Sequence, residues 1–273
     1  MSSSNNFAVK SESNSNATPI PRSVPKPNSK RLMQEEKELK DEQLKKEGIH
    51  VHIVRNNNNN NNDNDNDSNE SRSYDTVNCC IIGPADSPYE GMFLFFEIKI
   101  PPDYPFSPPK VMFKSLEKTV RFHPNLYTEG KVCLSIIGTW SGPGWAPCMK
   151  IKTVILTIQS ILVKNPIVNE PAYSRYTEEQ GKSYDIITRY NAFRYGVIKM
   201  MKTPPSGFEV FHPVMKAHLI SNKKFYFNHI QSKKEETKNT KFTVELIDKF
   251  FRLKQVANYD ELEQMFLELY SNF

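Results

Sequence analysis

The stretch Phe96-Glu97-Ile98-Lys99-Ile100-Pro101-Pro102-Asp103-Tyr104-Pro105-Phe106-Ser107-Pro108-Pro109 decides the fold class. Phe96, Ile98 and Ile100 alternate with Glu97 and Lys99, the period of a half-buried strand. The next nine residues hold five prolines, which end the strand and force a rigid, extended path. Upstream, Val77 to Ile82 is β-prone and stops at Gly83-Pro84, and Asp86-Ser87-Pro88 is turn chemistry. Further upstream, Ile49, Val51 and Ile53 alternate with His50, His52 and Val54, a first strand. Downstream, Val111 to Phe113 is a short last one. Four strands with no helical pattern between them predict an antiparallel meander.

Helical signals flank the strands. Ser29 to Glu47 is highly charged, with Leu32, Met33, Leu39 and Leu44 as a thin apolar stripe, Ser29 as cap and Gly48 as stop. After residue 149 the period changes. Ile151, Val154, Ile155, Ile158, Ile161 and Leu162 share one helical face, which ends near Asn165-Pro166. A second helix is predicted over Glu178 to Met201, then three more over residues 207–230, 242–256 and 259–272. In the last, Leu262, Phe266, Leu269 and Phe273 line one side. Helix, strands, then helices is an α+β order.

Composition divides the 273 residues. Residues 1–29, rich in Ser, Asn and Pro, read as a disordered tail, because they cannot bury enough surface to offset chain entropy. Residues 56–69 open with seven consecutive Asn and read as a flexible insertion. A core domain is expected over 30–203 and a helical extension over 204–273. The N-terminus has no apolar stretch like that of a secretory signal, and no run of about 18 apolar residues exists, so a membrane-spanning helix is not expected. Net charge is only +5. Residues 199–241 carry nine Lys and three Glu, a patch open to an acidic partner, to nonspecific RNA or simply to water; no specific nucleic acid is expected. The four cysteines, at 79, 80, 133 and 148, form no CxxC pair or disulfide framework and read as free thiols of a reducing compartment. His50 and His52 would share a strand face, but a metal site needs more ligands than that.

A second segment carries chemistry: His123-Pro124-Asn125-Leu126-Tyr127-Thr128-Glu129-Gly130-Lys131-Val132-Cys133-Leu134. His123-Pro124-Asn125, Cys133, the Tyr104-Pro105-Phe106-x-Pro108-Pro109 run, the Trp145-Ala146-Pro147 turn and Asn165-Pro166 with Glu170-Pro171 together resemble the ubiquitin-conjugating enzyme family, in its order and spacing over roughly residues 30–200. The Gly138-Thr139-Trp140-Ser141-Gly142-Pro143-Gly144-Trp145 loop and the long C-terminal part look more like the type Z branch of that family.

The resemblance implies a ubiquitin-conjugating fold and a carrier that accepts ubiquitin or a ubiquitin-like modifier from an activating enzyme and passes it to a substrate lysine or a ligase. It implies no metal and no organic cofactor, protein partners only, no membrane, and a cytoplasmic or nuclear setting. Such a carrier needs a thioester, hence a cysteine thiolate. Cys133 holds the family's acceptor position; Cys79 and Cys80 fall in a predicted strand and read as packing residues, and Cys148 borders the family's ligase surface. Asn125 matches the amide that stabilises the tetrahedral oxyanion; holding the neighbouring loop is its other reading. His123 looks like a hydrogen-bonding pin for the turn that Pro124 stiffens. Glu170 sits where the family has an acidic gate, often Asp; a solvated loop charge is the alternative. Ser135 stands where well-studied members carry an acidic residue that steers the lysine, a departure from the family pattern. Lys30, Arg31 and Lys37 resemble the site for the activating enzyme, or form a solvated helix face. Phe106 and Pro147 resemble the pair that ligases grip, with a core role as the rival for Phe106. A noncatalytic ubiquitin-binding scaffold on the same fold is the alternative function; such variants lack the cysteine.

Overall fold

The computed structural model describes residues 29–55, 74–171, 177–237, 243–246 and 253–273. The predicted tail, apart from Ser29, and the predicted insertion at 56–69 lie outside these residues.

The expected first helix is two. Helix α1 spans Ser29–Leu39 and α2 spans Glu42–Lys46. Asp41 separates them in an extended conformation, and its carboxylate accepts the Gln43 N–H at 3.0 Å. An Asp side chain that captures a backbone donor starts a new helix rather than continuing the old one. Leu32, Leu39 and Leu44 are buried as the stripe predicted, while Met33 is exposed. Gly48 ends α2 in the left-handed region, at φ 77°.

Four strands follow: β1 (Ile49–Arg55), β2 (Tyr74–Ile82), β3 (Phe93–Lys99) and β4 (Lys110–Phe113). They form one antiparallel sheet in the order β1-β2-β3-β4, the predicted meander. Strand β3 begins earlier than the alternation indicated. Phe93, Leu94, Phe95 and Phe96 are all buried, so only its far end, at Glu97 and Lys99, keeps the half-buried character. The reason is that both faces of the sheet are covered. Successive side chains point to opposite faces. Cys79, Ile81, Leu94, Phe96 and Ile98 pack in a first core with α1 and with α3 (Ile151–Ser160). Cys80, Phe93 and Phe95 pack in a second core with the C-terminal helices.

The helix predicted over Glu178 to Met201 is α4 (Glu178–Asn191), a π-helical run Ala192–Lys199 and α5 (Met200–Lys202). Gly196 lies in that run against Met92, whose Cγ would stand 2.4 Å from an added Cβ. The segment 207–230 is also divided, into α6 (His212–Ser221) and α7 (Lys223–Thr237), with Asn222 between them donating to the His218 carbonyl at 2.9 Å. The prediction over 242–256 is corrected: this segment is an antiparallel hairpin, β5 (Thr243–Leu246) and β6 (Leu253–Val256), pairing Val244 with Gln255 and Glu245 with Lys254. Thr243-Val244 and Val256 are β-branched residues, which favour a strand when a pairing partner is in register. Helix α8 (Tyr259–Ser271) is as predicted, except that Phe273 lies beyond its end and is exposed. Asn258 caps it by accepting the Glu261 N–H at 3.0 Å, and Leu262, Phe266 and Leu269 are buried. Phe193 meets the rings of Tyr226 and Phe266 at 5.1 and 5.7 Å, which ties α7 and α8 to the sheet through the second core.

Candidate functional site

Between β4 and α3 the chain forms no further strand, and side chains hold its path. Asn125 and Cys133 are joined twice. The Cys133 N–H donates to the Asn125 carbonyl at 2.9 Å, and Asn125 Nδ2 donates to the Cys133 carbonyl at 2.8 Å. Thr139 clamps the residues on either side of the thiol: its Oγ1 accepts the Leu134 N–H at 2.9 Å and donates to the Val132 carbonyl at 2.6 Å. An amide nitrogen has two hydrogens, so the Asn125 amide keeps a second donor. Its Oδ1 is buried with no hydrogen-bond partner.

His123 is fully enclosed and uses both ring nitrogens. Nδ1 accepts the Asn125 N–H at 2.9 Å, which leaves the proton on Nε2 to donate to the Ile161 carbonyl at 2.9 Å. Burial pushes its pKa down to about 3, so the ring is neutral near pH 7. The Pro124 carbonyl accepts from Arg121, whose guanidinium lies 4.0 Å from the centre of the Tyr127 ring. Asn169 Nδ2 lies 3.4 Å from His123 Nε2 and 3.5 Å from the Ile161 carbonyl it donates to. The 3-10 turn Pro166–Asn169 is therefore docked beside the His-Pro-Asn turn, with half-buried Glu170 directly after it. Thr139 and Asn169 were not singled out from sequence. Each acts through hydrogen bonds to backbone groups that no residue pattern in the sequence marks as its partners.

The thiols differ in setting. Cys79 and Cys80 lie in the two cores, and burial pushes both pKa values well up, away from the reactive thiolate. Cys133 sits on the clamped loop and is 1% exposed. Cys148 is exposed, beside Pro147.

The residues read as partner-binding are in three positions. Lys30 and Lys37 are exposed on α1. Arg31 faces inward: its Nη2 donates to the Met149 carbonyl at 2.7 Å, and its Nε pairs with Glu35. That arrangement makes it a tie between α1 and the chain before α3, not part of a solvated face. Phe106 is 78% exposed, so it is not a core residue, and Pro147 is exposed as well. Trp145 joins the two loops, donating from Nε1 to the Pro105 carbonyl at 2.7 Å.

Glu35 is the polar hub of this end of the molecule and was missed in the sequence, where it reads as one more charge of α1. It is 1% exposed. It accepts from Tyr104 Oη at 2.7 Å and from the Ile151 N–H at 2.8 Å, besides Arg31. Its spacing held a signal, since it lies three residues after Leu32 and four before Leu39, on the buried stripe. Among the described residues no group of three or more His, Cys, Asp or Glu is placed to hold a metal, and no helix is long and apolar enough to cross a membrane.

A cysteine on a clamped loop, an asparagine paired to it, and a four-stranded meander with α1 and α3 packed on one face together make up a conjugating-enzyme domain. The family model for the ubiquitin-conjugating enzyme matches residues 31–190, and the chain belongs to that family, whose members are transferases. The ubiquitin-conjugating enzyme E2 Z of Danio rerio is 40% identical over 152 residues, 55% of this chain and 46% of that protein. Its Homo sapiens counterpart is 40% identical over 152 residues, 55% of this chain and 43% of that protein. The probable ubiquitin-conjugating enzyme protein 17 of Caenorhabditis elegans is 37% identical over 155 residues, 53% of this chain and 21% of that protein. The chain thus matches less than half the length of these relatives, and the type Z likeness read from the sequence has counterparts among them.

Proposed function

We propose that this chain carries ubiquitin or a ubiquitin-like modifier as a thioester on Cys133, taking it from an activating enzyme and delivering it to a substrate lysine or a ligase. The reciprocal Asn125–Cys133 pairing is the observation that supports this reading best. In charging, the Cys133 thiolate attacks the modifier's thioester carbonyl. A new sulfur–carbon bond forms, and the activating enzyme's cysteine leaves as its thiolate. In transfer, a lysine amine attacks the same carbonyl, the oxyanion collapses, and Cys133 leaves as thiolate while the amine gives up a proton. The free Asn125 N–H is the oxyanion donor in this reading. Glu170 orients the amine and accepts its proton. His123 and Pro124 are positioning residues; both His123 nitrogens are occupied and the ring is too weak a base to take a proton near pH 7. Because Cys133 is 1% exposed, charging includes a local opening of the chain that covers it.

Lys30 and Lys37 would meet an acidic surface of the activating enzyme, and Phe106 with Pro147 a ligase. No metal or organic cofactor enters these steps. Free thiols suit the cytoplasm or nucleus.

The test is a charging assay with ubiquitin, ATP and a panel of activating enzymes, read on nonreducing gels. A thiol-sensitive adduct one ubiquitin heavier, absent in Cys133→Ala, is the expected result. A folded protein that forms no adduct with any donor or modifier overturns the reading in favour of a noncatalytic scaffold.

A further inference from the structure

Phe122 leads into the His-Pro-Asn turn, and its carbonyl is met by two hydroxyls. Tyr89 Oη donates to it at 2.9 Å and Tyr184 Oη at 3.0 Å. A carbonyl oxygen has two lone pairs and accepts both. Tyr89 lies between β2 and β3, and Tyr184 on α4. The hydroxyls are also in hydrogen-bonding contact with each other, so they hold the carbonyl as a pair. Tyr89 is 0% and Tyr184 1% exposed. Burial pushes both phenol pKa values up, so each keeps the proton it donates.

Tyr89 is itself anchored. Its N–H donates to Ser87 Oγ at 3.2 Å, and its carbonyl accepts the Met92 N–H at 2.8 Å. The same carbonyl lies 1.8 Å from where a Cβ at Gly83 would stand, so only glycine lets the end of β2 pass this close. Tyr184 has the frame of α4 behind it. From Phe122 the path to the thiol is short. The Leu126 N–H donates to the His123 carbonyl at 3.0 Å, which closes residues 123–126 into one turn. That turn has a further anchor in His123 Nε2, on the Ile161 carbonyl at 2.9 Å. It carries Asn125, whose amide reaches the Cys133 carbonyl at 2.8 Å.

On the carrier reading above, on which this inference rests, we propose that Tyr89 and Tyr184 are positioning residues for transfer. By fixing the Phe122 carbonyl from two elements, they set where the Asn125 amide stands relative to the Cys133 thioester. A displaced amide keeps its donor but loses alignment with an oxyanion that exists only in the transition state. Removing the two hydroxyls therefore slows transfer to lysine more than it slows charging. Plain core packing would lower stability without dividing the two steps.

The test is single-turnover charging and discharge to free lysine for Tyr89→Phe combined with Tyr184→Phe, which keeps both rings. Discharge slows by about tenfold, and charging by less than about twofold. In an Asn125→Ala background the same pair slows discharge by less than about twofold further, because the group it positions is gone. Tyr270→Phe is the control. It removes a hydroxyl that donates to the Leu219 carbonyl at 2.7 Å in the C-terminal helices, and both rates stay at the wild-type level. Far-UV circular dichroism checks that each variant is folded. Should the combined variant fail to fold, Tyr89→Phe and Tyr184→Phe are compared singly, each with a smaller loss of the same kind. A wild-type chain that never charges overturns the carrier reading and this inference with it. If the wild type charges, three results overturn the inference alone: discharge by the tyrosine variants at the wild-type rate, an equal loss in both steps, or the same loss in the presence and absence of the Asn125 amide.

Discussion

The side-chain amide of Asn125 donates to the Cys133 carbonyl at 2.8 Å, and the Cys133 N–H returns a bond to the Asn125 carbonyl at 2.9 Å. One residue therefore sets the direction of the thiol-bearing backbone and still holds a spare N–H beside it. Loop geometry and oxyanion stabilisation, which the sequence left as alternatives, are compatible in this arrangement. Asn125→Ala is expected to slow discharge of a preformed thioester onto free lysine by about 10²–10³-fold, while charging falls far less. Single-turnover charging and discharge, measured separately, decide it. An equal loss in both steps would mean that the amide only holds the loop.

His123 makes a stability prediction with a definite sign. Its pKa is lowered from 6.5 to about 3 by burial, so the fold favours the neutral ring. The unfolded chain takes up the proton first as pH falls. The contribution is complete above pH 6.5 and is lost as pH falls from there toward 3. Between pH 6.5 and 5, the wild type should lose about 2 kcal/mol more unfolding free energy than His123→Gln. Guanidinium unfolding at the two pH values measures this. Parallel pH dependences in the two proteins would show that the ring is not held neutral.

Glu35 binds α1, the proline-rich loop and the start of α3 into one piece. Glu35→Ala leaves the Tyr104 hydroxyl, the Ile151 N–H and the Arg31 guanidinium without their shared acceptor. Because Arg31 keeps its carbonyl contacts and some solvent, the expected cost is about 2–3 kcal/mol. Glu35→Gln, which keeps an acceptor, should cost less. Chemical denaturation of both variants checks the order; a Gln variant as unstable as the Ala variant would show that the hub is not acting through these hydrogen bonds.

Phe106 packs against little of its own chain, so Phe106→Ala is expected to change stability by less than about 0.5 kcal/mol. Ligase-stimulated discharge should fall at least tenfold if the ring is an anchor, with discharge to free lysine unchanged. A destabilised variant, or one equally slow without a ligase, would count against an exposed docking role. Trp145→Phe, which removes the N–H that joins the two loops, should give a weaker form of the same split.

Much of the fold was legible because its signals are local. Alternation at Phe96–Ile100, the prolines after it, the turn residues before β3 and the apolar face of α3 each act over a few residues, and each has its predicted place. Asp41 was also readable, as an extra cap inside a charged run, but the apolar stripe continues past it and hides the break. At 242–256 local preference was ambiguous, and strand pairing decided between helix and hairpin.

The sequence by itself determined the meander and the α+β order, which follow from side-chain period and from the backbone limits of proline and glycine. It also offered, by family resemblance, the candidate site residues Cys133, Asn125, His123 and the Asn165–Pro171 segment. Only the tertiary structure decided which neighbours those residues have. It covered the second face of β3, so that Phe93 and Phe95 are core. It turned Arg31 inward onto Glu35 and Met149, left Phe106 outside, and set Thr139 and Asn169 around the thiol loop. It also brought Tyr89 and Tyr184 together on the Phe122 carbonyl. These relationships join separate elements, most of them distant in the chain. No local period encodes them, because burial and hydrogen-bond completion are settled only when the whole chain has packed.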